Sequence, residues 1–333
     1  MFKKLVIIAG TALLIVSFLG LFGQGEIQGA NINYTPYIGP NVTPFAGNVV
    51  IYPNGTFTPG APLSKSGDKY TLTSEIVGSL TDMFNGAIIN GNGYMINGTG
   101  KVAFYLDNAG NVRISNLSVM DACKGFDLYY VYNVSMENLG FQGKIKCGIY
   151  IDYANNVEIE NSLVNGTSSF GILSQYAHNL EINNDILSNN YEGMYLVGSN
   201  DAVVKNSVFN DSRYYGFLDL NSNNLFVNHV TFLHNYESLF VCYSSHADIE
   251  DIKVSNGTYP VYFSSDSNFS LSNSSITVNQ DYTYIDQSQN GKIANSYFSK
   301  SEDCIIHLYK STGIDLINDS MNQTTDCSYI SLS

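Results

Sequence analysis

Charge is scarce in this sequence: only 13% of its 333 residues are Asp, Glu, Lys or Arg, about half the share usual in soluble domains. Basic residues are the scarcer sign. Fifteen Lys and Arg stand against 29 Asp and Glu, a formal net charge of −14, and the only arginines are Arg113 and Arg213. A surface for nucleic acid needs clustered Lys and Arg to neutralise phosphate, so that class of partner is excluded. Tryptophan is absent. Low charge combined with 25 Tyr and 18 Phe excludes a disordered chain. What is abundant is turn chemistry, with 39 Asn and 29 Gly.

The first segment reads as an export signal. Lys3 and Lys4 precede a run from Leu5 to Gly23 that holds no charge. Its length lies between a secretory h-region of about 7–15 residues and a spanning helix of about 20. Residues 1–30 are therefore expected to form an apolar helix that is either a signal peptide or a membrane anchor, leaving the protein secreted or at the cell surface. Membrane contact is expected through this segment alone. Five cysteines suit that compartment, where disulfides persist.

A short pattern then recurs: an apolar residue, any residue, Asn, and a second apolar residue three further on. Its anchors are Asn116, Asn138, Asn161, Asn184, Asn206, Asn228, Asp251, Asn273, Asn295 and Asn318, and successive anchor numbers always differ by 22 or 23. Five residues before each anchor runs a second turn column, Asn111, Asn133, Asn156, Asn179, Asp201, Asn223 and onward. Apolar residues lie two before (Ile114, Met136, Ile159, Ile182), twelve before (Phe104, Phe126, Ile149, Ile172) and ten before (Leu106, Leu128, Ile151). Alternation of period two means strand. A repeat of this length with short strands and Asn at its bends describes a parallel β-helix, whose coils stack at about 4.8 Å and share main-chain hydrogen bonds. Asn tolerates the left-handed backbone, and its amide both donates and accepts, so stacked amides can bond from coil to coil.

The fold class expected is thus all-β: a right-handed, single-stranded parallel β-helix of about eleven coils over residues 84–333. Residues 31–83 break the period and read as an N-terminal cap over the first coil's open edge. Cys304 and Cys327 each sit nine residues past an anchor, one coil apart and within disulfide reach. Cys123 and Cys147, whose numbers differ by 24, are expected to bridge successive coils in the same way, leaving Cys242 a free thiol.

The opening Ile89-Asn90-Gly91-Asn92-Gly93-Tyr94, followed by these coils, resembles β-helix proteins of the NosD and carbohydrate-binding/sugar-hydrolase (CASH) kind, in the pectate-lyase-like superfold. The resemblance implies the fold, and leaves the activity open because that scaffold carries lyases, hydrolases, epimerases, adhesins and non-enzymes. The Asn-Thr-Asp, Asp-Asp, Gly-His-Gly and Arg-Ile-Lys motifs of its polygalacturonase members do not occur here. The clustered His, Met or Cys that copper handling would favour is not seen either, since the five His are scattered.

If the residues twelve and ten before each anchor point inward, those eleven and nine before it point outward. The first outward column reads Tyr105, Asp127, Tyr150, Leu173, Tyr195, Phe217, Phe240, Tyr262, Tyr284, His307. The second reads Asp107, Tyr129, Asp152, Gln175, Val197, Asp219, Cys242, Ser264, Asp286, Tyr309. An aromatic stripe beside carboxylates and amides suits a polysaccharide or surface glycan, whose apolar ring faces stack while its hydroxyls find acceptors. Tyr105, Tyr150, Tyr195, Phe240 and Tyr262 are the candidate sugar-binding residues, and the expected function is binding of extended carbohydrate without turnover. Asp107, Asp127 and Asp152 on three successive coils are candidates for acid/base catalysis by a polysaccharide hydrolase or lyase. They are equally candidates for a Ca²⁺ site; no other cofactor is implied. Plain cross-strand stacking of aromatics and a protein contact in a structural or adhesive surface protein remain the other readings of the stripe.

Overall fold

The structure, a computed structural model, describes residues 43–299, 305–322 and the backbone of 330–332. The expected N-terminal apolar helix (1–30) and the Cys304–Cys327 bridge lie outside the described residues. Among the described residues no helix is long and apolar enough to cross a membrane.

The chain winds as a right-handed parallel β-helix of about eleven turns. Each turn lays down three strands. Cys147–Asp152, Phe170–Gln175 and Glu192–Val197 belong to a front face that forms its own 13-stranded sheet. Asn155–Glu160 and His178–Asn183 belong to a second face, and Leu163–Asn165 and Ile186–Ser188 to a third. The second and third faces merge into one 24-stranded sheet, since Gly110–Met120 and Tyr132–Gln142 run unbroken across the bend between them. Eleven of the front-face strands come from residue 84 onward. Two more, Val49–Ile51 and Leu80–Asp82, extend the sheet upstream by parallel pairing. An antiparallel hairpin, Leu63–Ser66 with Lys69–Leu72, also joins this end, where Phe57, Tyr70 and Phe84 pack edge to face.

Inward rows are continuous. Phe104, Phe126, Ile149, Ile172, Met194, Phe217, Leu239 and Val261 stand opposite one another coil by coil, all at 0–1% exposure. Just before this row runs a glycine column, Gly125, Gly148, Gly171, Gly193 and Gly216, where the coils approach too closely for a side chain. A Cβ at Gly171 would lie 2.4 Å from the Gly193 carbonyl oxygen.

One coil departs from the expected register. The bend residue of the sixth repeat is His229, with φ +53°, and not Asn228; Asn228 pairs with Lys205 inside the strand. The column five before the anchor likewise passes through Asn224 and not Asn223. A slip of one residue exchanges inside and outside. Val227 and Phe217 are therefore core residues, Leu218 takes the outward place assigned to Phe217, and Asp219 points inward at 0% exposure.

The corners are built from left-handed residues, four in a typical coil: Tyr153, Asn156, Asn161 and Gly166, for example, then Tyr176, Asn179, Asn184 and Asn189. On the outside, Asn amides bond from coil to coil, as Asn133 to Asn111 at 3.0 Å, Asn156 to Asn133 at 2.9 Å, and Asn138 to Asn116 at 2.6 Å. Several corner N–H groups donate to backbone carbonyls of the next coil, as Tyr153 to Gln175 and Asn161 to Asn183, and on the inside others donate to a side-chain oxygen one coil further on. Ser162 N–H reaches Asp185 at 2.6 Å and Asp185 N–H reaches Ser207 at 3.1 Å. At a second corner Ser199, Ser222, Ser244, Asp266 and Ser288 form a ladder of 2.7–3.2 Å bonds. At the third, buried asparagines span the turn: Asn235 accepts from Ser212 N–H at 2.9 Å and donates to the Phe209 carbonyl at 2.9 Å.

Cys123 and Cys147 are free thiols, contrary to the bridge expected from their spacing. The coil pairs Cys147 with Lys124, so the cysteine spacing exceeds the coil by one residue and puts the two thiols out of step. Cys147 is buried and Cys123 only half-buried, as neighbouring positions on a pleated strand require.

Two tests follow from the interior. Asn235→Ala removes the acceptor of the Ser212 N–H and a donor to the Phe209 carbonyl and should lower stability by about 2–4 kcal/mol in denaturant unfolding. Asp82 is buried, with one oxygen accepting from Phe84 N–H and the other unpartnered, and burial lifts its carboxyl to about 7. The folded state keeps that proton while the unfolded chain releases it near 3.8, so the proton's contribution is full below that value and lost as pH rises towards 7. Asp82→Asn should flatten the fall in stability between about pH 4 and pH 7, measured by unfolding across that range.

Candidate functional site

The front face carries the aromatic stripe on its outer side. In observed register the column is Tyr105, Asp127, Tyr150, Leu173, Tyr195, Leu218, Phe240, Tyr262, Tyr284 and His307. Each ring named as a sugar-binding candidate (Tyr105, Tyr150, Tyr195, Phe240, Tyr262) points outward and is half-buried among its neighbours. The column has two parts. From Phe240 onward the rings form an unbroken stack, with centroids 4.5 Å apart to Tyr262, 4.7 Å to Tyr284 and 4.9 Å to His307. In the earlier coils Asp127 and Leu173 interrupt it, and a polar cluster takes over.

That cluster centres on Lys124. Its ammonium lies 2.9 Å from Asp127 Oδ2 and 3.6 Å from the centroid of the Tyr150 ring. The Tyr150 hydroxyl donates to Gln175 Oε1 at 2.7 Å. Burial, reinforced by the Asp152 and Asp127 carboxylates, pushes the Tyr150 phenol up to about 12. Burial also raises the Asp152 carboxyl, while Lys124 and Tyr150 pull it down and Asp127 adds to the rise. Asp152 Oδ1 is shielded and has no hydrogen-bond partner.

The three candidate carboxylates are not gathered round one point. Asp107 and Asp152 stand two coils apart with Tyr129 between them, Asp107 accepts from the Asn108 amide at 2.6 Å, and Asp127 is turned to Lys124. Among the described residues no set of three His, Cys, Asp or Glu side chains is placed to hold a metal ion. Asp219, expected outside, accepts from the Ser244 hydroxyl within the core at 2.8 Å.

Sequence reasoning missed two features of this face. Glu192 lies half-buried on its outer side, opposite Phe170; burial lifts its carboxyl to about 7, and one oxygen is shielded without a partner. The second is a pair of tyrosine ladders at the face's two edges. One edge carries Tyr191, Tyr214 and Tyr236, stacked at 6.5 and 5.7 Å. The other carries Tyr130, Tyr153 and Tyr176, nearly parallel, at 5.1 and 5.2 Å. These last three occupy left-handed corner positions with φ +52°, a conformation that costs a bulky residue about 1–3 kcal/mol. The signal was in the sequence as a Tyr recurring eight residues before three consecutive anchors.

A shallow groove also runs along the second face, lined by the Asn111, Asn133, Asn156 and Asn179 amides with Arg113, Glu158 and Glu181. It offers no aromatic ring, and so lacks the stacking surface of the front face.

Residues 147–279 match the family described as "Right handed beta helix region". Among curated proteins no sequence matches this chain. Solved structures share the fold at low identity. Tailspike protein 3 of bacteriophage CBA120 is 10% identical, with a TM-score of 0.56 over 80% of this chain and 55% of its own. The catalytic domain of a GH87 alpha-1,3-glucanase, in complex with nigerose, is 13% identical, with a TM-score of 0.50 over 78% and 56%. A mutant of DFA-IIIase from Arthrobacter chlorophenolicus A6, in complex with DFA-III, is 11% identical, with a TM-score of 0.51 over 73% and 76%. The chain spans a little over half the length of the first two. At these identities the likeness is one of fold.

Proposed function

We propose that this protein binds extended carbohydrate along its front face, as an exported protein secreted or held at the cell surface. The observation that carries the reading is the outward column of rings, stacked from Phe240 to His307 and continued in the earlier coils by Tyr105, Tyr150 and Tyr195, with Asp107, Asp152 and Gln175 beside them. Aromatic faces meet the apolar faces of pyranose rings, and carboxylates and amides accept from sugar hydroxyls. An outward aromatic surface of this extent is unusual on a protein with nothing to bind. The neighbours in fold that hold a ligand support the reading, the glucanase being in complex with nigerose and the DFA-IIIase with DFA-III. The CASH side of the sequence resemblance points the same way.

A second reading is turnover of the bound chain. Glu192, a carboxyl on this face that burial lifts to about 7, has the property of a general acid, and Asp127 and Asp152 supply further carboxyl groups.

The full chain passed over a panel of immobilised polysaccharides, scored for retention and for newly formed chain ends with and without Ca²⁺, tests both. Retention without new ends is expected, and Tyr150→Ala and Tyr195→Ala should each weaken it about 3–10-fold. New ends that vanish in Asp127→Asn or Glu192→Gln would establish turnover. Retention untouched by both tyrosine substitutions would remove the stripe as the binding surface.

A further inference from the structure

The corner ladder Tyr130–Tyr153–Tyr176 has a property that the fold does not explain. The same left-handed position is filled in other coils by Asn108, Gly198, Asn221, Tyr243, Ser265, Gln287 and Lys310; six of these seven carry no aromatic ring, so the turn needs none. Asn and Gly accept that backbone more readily than Tyr. Nor does burial favour the rings, since Tyr130, Tyr153 and Tyr176 remain 47, 47 and 50% exposed. Their centroid spacing of 5.1 and 5.2 Å, with planes 8° and 22° apart, is that of offset-stacked rings, and about half of each surface stays open to solvent.

The placement matters as much as the strain. In these same coils Asp107, Tyr129, Asp152 and Gln175 stand in register as a column next to the corner. On its far side lie Tyr105 and Tyr150. Two aromatic rails thus flank a strip of hydrogen-bond acceptors, with Tyr129 packed edge-on against Tyr130 at 4.4 Å.

The charge of the strip selects the ligand. Asp107 and Asp152 line it, Asp127 in the neighbouring column engages Lys124, and the whole chain carries −14. A polyuronate or sulfated polymer would be repelled, whereas an uncharged polymer offers hydroxyl donors to the carboxylates and ring faces to both rails.

We infer that Tyr130, Tyr153 and Tyr176 form a binding platform for an uncharged polysaccharide, seated between this ladder and Tyr105/Tyr150 with its hydroxyls on Asp107, Asp152 and Gln175. The inference rests on the carbohydrate-binding reading and adds to it a second set of residues and the class of sugar.

The test compares full-length wild type with the triple variant Tyr130→Asn/Tyr153→Asn/Tyr176→Asn and with the corresponding triple Phe variant. Immobilised uncharged glucans and mannans are set against polyuronates and sulfated galactans, at low and high salt. Wild type is expected on at least one uncharged polymer with little salt dependence. The Asn variant should lose at least about tenfold in retention, and the Phe variant should keep it. Melting of the Asn variant should not fall below that of wild type, because Asn relieves the backbone while the rings are lost. Wild-type retention that survives in the Asn variant overturns the platform. Retention only on charged polymers, weakening with salt, overturns the choice of sugar while leaving binding intact. No retention of wild type on any polymer overturns the inference together with the carbohydrate-binding reading itself. If the Asn triple fails to fold, Tyr153→Asn alone, at the centre of the ladder, decides the matter in the same way with a smaller loss.

Discussion

Everything in this molecule depends on how a chain turns three corners in every coil without leaving its backbone amides stranded. A single coil has no interior of its own and no internal partner for its strands. The solution is hydrogen bonding along the stack. Strand amides pair with the next coil, and the corner amides also bond along the stack, some to backbone carbonyls of the next coil and others to Ser, Asp or Asn oxygens there. Buried polar groups of this kind are tolerable only when satisfied. Because each bond connects neighbours, stability is built up coil by coil, as expected of a solenoid.

This arrangement divides labour between residue types. Apolar side chains fill the interior along the strands, small polar ones hold the corners from inside, and asparagines clamp them from outside. The outward side of the front face is left over. Its rings stack on each other, yet the fold does not require them, since Leu173 and Leu218 serve in the same column and Asn or Gly serves at the same corner. Residues released from structural duty in this way are the ones whose chemistry can be read as function.

The period, the strands and the outward stripe were legible in the sequence because a β-helix writes its geometry as a repeat. The anchor column was followed correctly through nine of its ten coils. It went astray at Asn228, where an Asn one place before the true bend resembled the others more closely than His229 does. Gly216 held the correction: counted from Asn228 it interrupts the apolar column, and counted from His229 it joins the glycine column of Gly125, Gly148, Gly171 and Gly193. The inner Ser/Asp ladder is not legible in the repeat, because a small polar residue after a bend reads the same whether it faces solvent or the interior. The corner tyrosines were overlooked because Asn was treated as the mark of a bend, and a bulky aromatic with positive φ is not what propensity suggests. The polar cluster was the least legible, since the spacing of two cysteines says nothing of Lys124 turning across the strand to meet Asp127.

The match between coil and ring has an architectural consequence. Each added repeat brings one further rung to the front face and one further position at every corner, without disturbing the rungs already in place. In the proposed carbohydrate-binding role, the length of surface offered to a polymer is therefore set by the number of repeats, and the local chemistry by the residue chosen for each rung. Duplication or deletion of a single repeat would act as a vernier on reach, changing how many units of a long chain are grasped while leaving the grip on each unit as it was.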